Sequence, residues 1–250
     1  MPPLGLHMTL ARDIAGELAS TAVDAERGAY YLGATTPDIR VLTRWDRART
    51  HFFDLNEFGH QSGAEGLFAQ EPALCDAGAV GAATAAFVAG YLSHLVMDES
   101  WICQIYRPLF GERSALRDEV MSDVMDRVLQ FELDRRERED FAKIGEIQDA
   151  LAASAVEVSV DFIARETLLD WRTISVEVLS RPPTWDRFRR IAGRHLSAAG
   201  IEGEENVRRF MGDIPSLLDR TIDCVGMERI NEYLQSSRSK ALRTMREYLS

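Results

Sequence analysis

The chain has 250 residues, 46% of them hydrophobic and 28% charged, with a formal net charge of −11. That length suffices for one large domain or two small ones with a sizeable core. The acidic balance argues against a nucleic acid duplex as partner, but not against a small anionic substrate held by a metal, because a bound cation dominates its local field.

In chain order, Leu10, Ile14 and Leu18 recur at helical spacing and predict an amphipathic first helix over 8–26, with His7 just before it. The stretch Gly33-Ala34-Thr35-Thr36-Pro37-Asp38 breaks the pattern, since Pro37 biases Thr36 away from helix; a loop is expected there. A short helix over 42–48 follows. Gly59, Gly63 and Gly66 then place a loop in the front part of 56–71. Next comes an alanine-rich apolar helix over 79–105 that ends before Pro108. Its longest apolar run is too short to span a bilayer, so it reads as a core helix and not a transmembrane segment.

Leu116, Val120, Val124, Val128 and Phe131 predict an amphipathic helix over 114–136. It closes in the mixed-charge run 134–140, read as a solvated helix end laced by i,i+4 pairs. Further helices are expected over 141–152, 155–180, 184–198 and 204–247. Pro182-Pro183 separates two of them, Thr184 is the N-cap of the next, and Pro215 kinks or divides the last. No β-rich alternation stands out. The fold class is therefore all-α, a multi-helical single domain in which residues 1–110 carry the candidate ligands and 111–250 form scaffold or lid.

Cys75, Cys103 and Cys224 are odd in number, far apart and without a Cys-x-x-Cys pair. No disulfide framework is expected, and a reducing cytoplasm is the simpler setting. The N-terminus has no basic run, and Asp13 and Glu17 follow soon after, so no secretory leader is expected either.

The chemistry-bearing residues gather early. His94 and Asp98 stand four apart on the apolar helix, where one face brings their Cβ atoms to roughly 5–6 Å. An ionised Asp98 buried there needs a neutralising partner. A metal would serve, and His7, Asp38 and His51 offer further ligands upstream. Imidazole and carboxylate donors suit zinc, with iron or manganese as alternatives. Five ligands from four segments exceed the needs of one four-coordinate ion that also binds water, so of the one or two ions expected the economical arrangement is two, bridged by a carboxylate. Each residue alone has a plainer reading: a satisfied core histidine for His51 or His94, an Asx-turn for Asp38, a cap or an arginine partner for Asp98.

Four stretches carry a resemblance to a known family: Leu6-His7-Met8, the run Leu32-Gly33-Ala34-Thr35-Thr36-Pro37-Asp38, Thr50-His51-Phe52, and Gly90-Tyr91-Leu92-Ser93-His94-Leu95-Val96-Met97-Asp98. Together they make the N-terminal hundred residues similar to the bacterial zinc-dependent phospholipase C superfamily, which includes the S1/P1-type nucleases. The resemblance implies a mostly helical fold with a zinc cluster in a cleft. It implies one zinc on Asp38, His51, His94 and Asp98, and a second bridged by Asp98 and bound by His7. It further implies Asp38 as a candidate general base. Two departures stand out. The chain begins Met1-Pro2-Pro3, where secreted relatives use an N-terminal tryptophan as ligand. After Asp98 it offers a single histidine, His195, so the third zinc site of those enzymes is absent or rebuilt.

Around the ligands, Glu99 is either a catalytic acid or second-metal ligand, or a surface group, since it points about 100° away from Asp98 on the helix. Trp101 walls a pocket or packs in the core. Tyr30, Tyr31 and Tyr91 donate to an oxyanion or simply pack. His60 is a mobile ligand or an exposed loop residue. Arg40, Arg44, Arg47 and Arg49 face an anionic substrate or form a solvated turn. The leading expectation is a metal-dependent hydrolase of phosphate esters acting on a small anionic substrate. The rivals are a metal enzyme for a non-phosphate small molecule and a non-catalytic helical protein with a structural metal.

Overall fold

The computed structural model describes residues 3–55, 57–59, 61–111, 114, 116 and 120–250. His60, Met1 and Pro2 lie outside the described residues. Every regular element among the described residues is helical, with no strand, and the helices of both halves share one apolar core. No helix among them is long and apolar enough to cross a membrane.

The first helix, α1 (Leu4–Leu18), starts earlier and stops sooner than periodicity predicts. Pro3 supplies the extended N-cap, and Ala19 ends the helix in the left-handed region at φ 50. His7 is therefore inside α1, not before it. After α2 (Thr21–Ala25) and α3 (Arg27–Gly33), a 3-10 turn (Thr36–Ile39) occupies the expected loop and carries Asp38. Two single turns, α4 (Arg40–Thr43) and α5 (Ala48–His51), replace the predicted short helix. Arg44 at φ 63 and Phe52 at φ 52 stop them. Helix α6 (Gly63–Gln70) begins where the Ser62 hydroxyl accepts from the Glu65 N–H.

The central helix α7 (Ala82–Trp101) is buried almost all round and continues as a π-helical stretch (Ile102–Phe110) that runs through Pro108. The missing donor falls where hydrogen bonding has already shifted to the wider turn, so the helix does not stop before the proline. Helices α3, α6 and α14 (Met227–Leu249) pack along α7. The α3 crossing is backbone on backbone. A Cβ on Gly33 would stand 1.9 Å from the Phe87 carbonyl oxygen, and one on Gly90 2.0 Å from that of Tyr30. Glycine is required at both places.

Helix α8 (Ser122–Glu137) begins later than expected, and Val120 is exposed rather than part of its apolar stripe. The charge run at its end is not simply solvated. Asp134 and Arg138 are buried: Asp134 Oδ1 accepts from the Leu6 N–H at 2.7 Å, and Arg138 donates to the carbonyls of Val178, Leu179 and Arg181. This cluster fixes the start of α1. Of its neighbours, Arg135 and Glu139 form an exposed pair, while Arg136 reaches back to the buried Glu132.

Helix α9 (Phe141–Ala153) matches its prediction, but α10 (Arg165–Ser180) begins ten residues late. Before it the chain is irregular, with Val156 at φ 53, and buries Val156, Val158 and Val160 alternately, a period-two signal the sequence does contain. Helices α11 (Trp185–Ile191) and α12 (Gly193–Ala198) divide at Ala192. The last predicted helix divides at Gly226, φ 84, into α13 (Glu204–Val225) and α14. Pro215 sits inside α13 on its exposed side, where water can satisfy the carbonyl it leaves unpaired.

Candidate metal centre

His7 from α1, Asp38 from the 3-10 turn, His51 from α5, and His94 and Asp98 from α7 converge in the interior. Each is between 0% and 5% exposed. The His7 and His94 rings stack with centroids 3.7 Å apart, and the His51 ring stands edge-on to His94 at 5.5 Å. His51 Nε2 lies 3.6 Å from Asp38 Oδ1 and 3.9 Å from Asp98 Oδ2. One donor atom each from His7, Asp38 and His94 falls within 4.8 Å of the other two, the spacing of a metal-binding group.

Local structure aims these side chains. The Gly33–Gly90 crossing brings the Ala34 carbonyl to His94, whose Nδ1–H donates to it at 2.8 Å. That bond leaves His94 Nε2 as the free lone pair. His51 Nδ1 pairs with Thr50 Oγ1 at 3.1 Å, and Thr50 in turn donates to the Arg47 carbonyl, so His51 Nε2 is likewise free. Such a partner on the second ring nitrogen is what orients a ligating imidazole. Neither nitrogen of His7 has a partner. The 3-10 turn bearing Asp38 is pinned from the C-terminal half, because Trp171 Nε1 donates to Thr35 Oγ1 at 3.2 Å.

Burial, with the nearby His94, pushes His7 well below its ordinary pKa. Burial likewise depresses His94, to about 4, outweighing the pull of Asp38. Both imidazoles are therefore neutral, as ligation requires. Burial alone would raise the two carboxyl groups. Contact with His51 instead holds Asp38 far below its usual range, and Arg47 with His51 holds Asp98 at about 2. Two carboxylates thus share a buried enclosure with neutral His7 and His94.

The donor atoms test whether a metal fits. Buried atoms with no hydrogen-bond partner include both nitrogens of His7, Asp38 Oδ1, His51 Nε2, His94 Nε2 and Asp98 Oδ1. A buried polar atom without a partner costs about 1–3 kcal/mol, and one donor atom each of His7, Asp38 and His94 lies within 4.8 Å of the other two. A cation among these three would satisfy them together, so the residues fit one.

The remaining candidates separate. Arg47 alone of the four arginines enters the cluster, its Nη2 donating to Asp98 Oδ2. Asp98 therefore already has a cationic neighbour, as one plain reading of it held. Arg49 stacks over Trp45 at 3.7 Å, and Arg40 donates to the Trp45 carbonyl. Glu99 turns elsewhere: its oxygens bind Lys240 Nζ at 2.7 Å and the Gly63 N–H at 3.1 Å, joining α7 to α14 and α6. The structure does not bring it to the cluster. Trp101 is core, donating to Asp126 Oδ1 and packing on Tyr233. Tyr30 donates to the Ala11 carbonyl and Tyr91 to that of Thr50, so both brace the helices around the site. His195 sits on α12, outside the cluster. Sequence reasoning did not anticipate the orienting roles of Ala34 and Thr50, which appear only when the chain folds.

Compared with known proteins, the chain matches no family model, no curated protein and no solved structure.

Proposed function

We propose that this protein is a metal-dependent hydrolase of phosphate esters, with its centre on the segments that resemble the zinc-dependent phospholipase C superfamily. The observation that carries the reading is the convergence of six partnerless buried donor atoms from His7, Asp38, His51, His94 and Asp98. Zinc is the preferred ion, with iron or manganese as alternatives. Bound there, it would supply a hydroxide near neutral pH and polarise a phosphoryl oxygen. His94, oriented by the Ala34 carbonyl, and neutral His7 present nitrogen lone pairs, and Asp38 adds the charge. Three protein donors leave room for water, the pattern of catalytic rather than structural sites. Asp38 is also placed to orient that water or take its proton. Arg47 brings a fixed positive charge for an anionic substrate. Three exposed, unpaired cysteines support a reducing compartment, the cytoplasm, as its setting.

Zinc loading of chelator-stripped protein, followed by a panel of phosphodiesters and monoesters, tests this. Uptake of zinc and zinc-dependent release of phosphate or alcohol are expected, both lost in His94→Ala. Protein that takes up no metal refutes the reading. A second reading rests on the enclosure of the cluster, where Asp38, its most exposed member, is 5% accessible. So closed a site favours a compact substrate, and a metal-loaded protein that leaves every phosphate ester intact would point to a non-phosphate small molecule.

A further inference from the structure

The five cluster residues divide into two groups. His7, Asp38 and His94 form a cup whose donor atoms lie within 4.8 Å of one another. Asp98 is the second group, with His51 Nε2 between the two, 3.6 Å from Asp38 Oδ1 and 3.9 Å from Asp98 Oδ2, and the Asp98 side already holds a positive group. Arg47 Nη2 donates to Asp98 Oδ2, while its Nη1 is tied to the Phe53 carbonyl at 2.8 Å. The guanidinium is 11% exposed and cannot lose its proton. Its place is built into the local fold: the Arg47 carbonyl accepts the His51 N–H at 2.9 Å, so one turn of α5 delivers both the imidazole and the guanidinium. A divalent ion at Asp98 would stand against this charge at short range in a poorly screened interior, where like charges repel strongly.

We infer that Arg47 serves as the second cation of the site: the chain takes up one metal ion, in the His7–Asp38–His94 cup, and Arg47 fills the position at Asp98 that a second ion would need. The inference rests on the metal-hydrolase reading and deepens it. An anionic substrate would then meet one ion and one fixed guanidinium charge rather than two ions. The resemblance on its own would put two zincs here, so the count distinguishes this chain from what the resemblance implies.

Zinc titration of the chelator-stripped full chain, with metal analysis after gel filtration, should give one ion per chain. Arg47→Met should take up two and Arg47→Lys one, each checked for native helicity by circular dichroism. Two ions in the unaltered chain overturn the inference and leave the metal reading standing. One ion in a folded Arg47→Met also overturns it. No uptake by the unaltered chain refutes the metal reading and this inference with it. If Arg47→Met does not fold, Asp98→Asn and Asp38→Asn decide. The first should retain the single ion and the second should lose it, and any other pattern overturns the assignment.

Discussion

Two clusters of charged residues are buried in this protein, and they are built on opposite terms. At the end of α8, Asp134 takes the Leu6 N–H and an Arg138 guanidinium nitrogen, and Arg138 spreads its other hydrogen bonds over three carbonyls. At the crossing of α3 and α7, histidines and aspartates of equal burial leave six donor atoms without partners. Burial of charge therefore does not mark a functional site in this molecule. What separates the two is the degree of incompleteness: the α8 cluster leaves one buried atom, Arg138 Nε, without a partner, whereas the α7 cluster leaves six.

The contrast can be broken most sharply at Asp134. Asp134→Ala strands a buried guanidinium and the Leu6 N–H of α1, and should cost about 3–5 kcal/mol in urea unfolding, with or without metal. The α7 cluster should respond to the added cation instead. Zinc at a hundred times its Kd should stabilise the chain by about 2.7 kcal/mol, an increment absent from His94→Ala in paired thermal melts. Gly90→Ala tests whether the backbone crossing supports the second cluster. Its Cβ would meet the Tyr30 carbonyl, so about 1–3 kcal/mol of stability should be lost. Zinc affinity should fall by about 10–100-fold as the Ala34 carbonyl leaves His94.

Acid sharpens the comparison further. His94 titrates near 6.5 unfolded and about 4 folded, so between those values the unfolded chain binds more protons. Metal-free protein should be fully stable above pH 6.5 on this account and lose stability as the pH falls toward about 4. The slope should be at most about 1.4 kcal/mol per pH unit for this histidine. A urea series across that range checks it, and His94→Gln should remove this share while leaving that of His7, which burial also depresses. The smallest effect belongs to Glu139, the exposed partner of Arg135. Glu139→Ala should shift stability by less than about 1 kcal/mol, although it lies one residue from Arg138.

Much of the site was legible in the sequence because its residue types are costly to bury. His94 and Asp98 announced themselves by standing in an otherwise apolar run, and all five candidate ligands do meet in the interior. The charge run 134–140 misled for the converse reason. Alternating signs look solvated, and nothing local reveals that Gly5 lets Arg138 and Asp134 press against α1; a Cβ there would stand 2.4 Å from both. Helix class was readable from periodicity, but several boundaries were not. Ala19 and Ala192 end helices without any breaker residue, whereas Pro108 and Pro215 break nothing, since tertiary packing overrides local preference. The irregular Val156–Val158–Val160 stretch was present as alternation and was hidden by the helical pattern on both sides. Arg47 could be placed near the ligands but not distinguished from Arg40, Arg44 and Arg49, because only the αL residues Arg44 and Phe52 set which way the α5 turn faces.

Helix α14 lies along α7, with Tyr233 against Trp101, Lys240 on Glu99 beside Asp98, and Met245 near the Tyr30 hydroxyl. On a ribosome, the ligand-bearing segments emerge more than a hundred residues before that helix does. The wall they share with it must stay open to water until that helix follows. A nascent chain paused before Met227 would therefore expose the apolar flank of α7 to chaperones, and the enclosure around the histidines would be sealed only once α14 has been made.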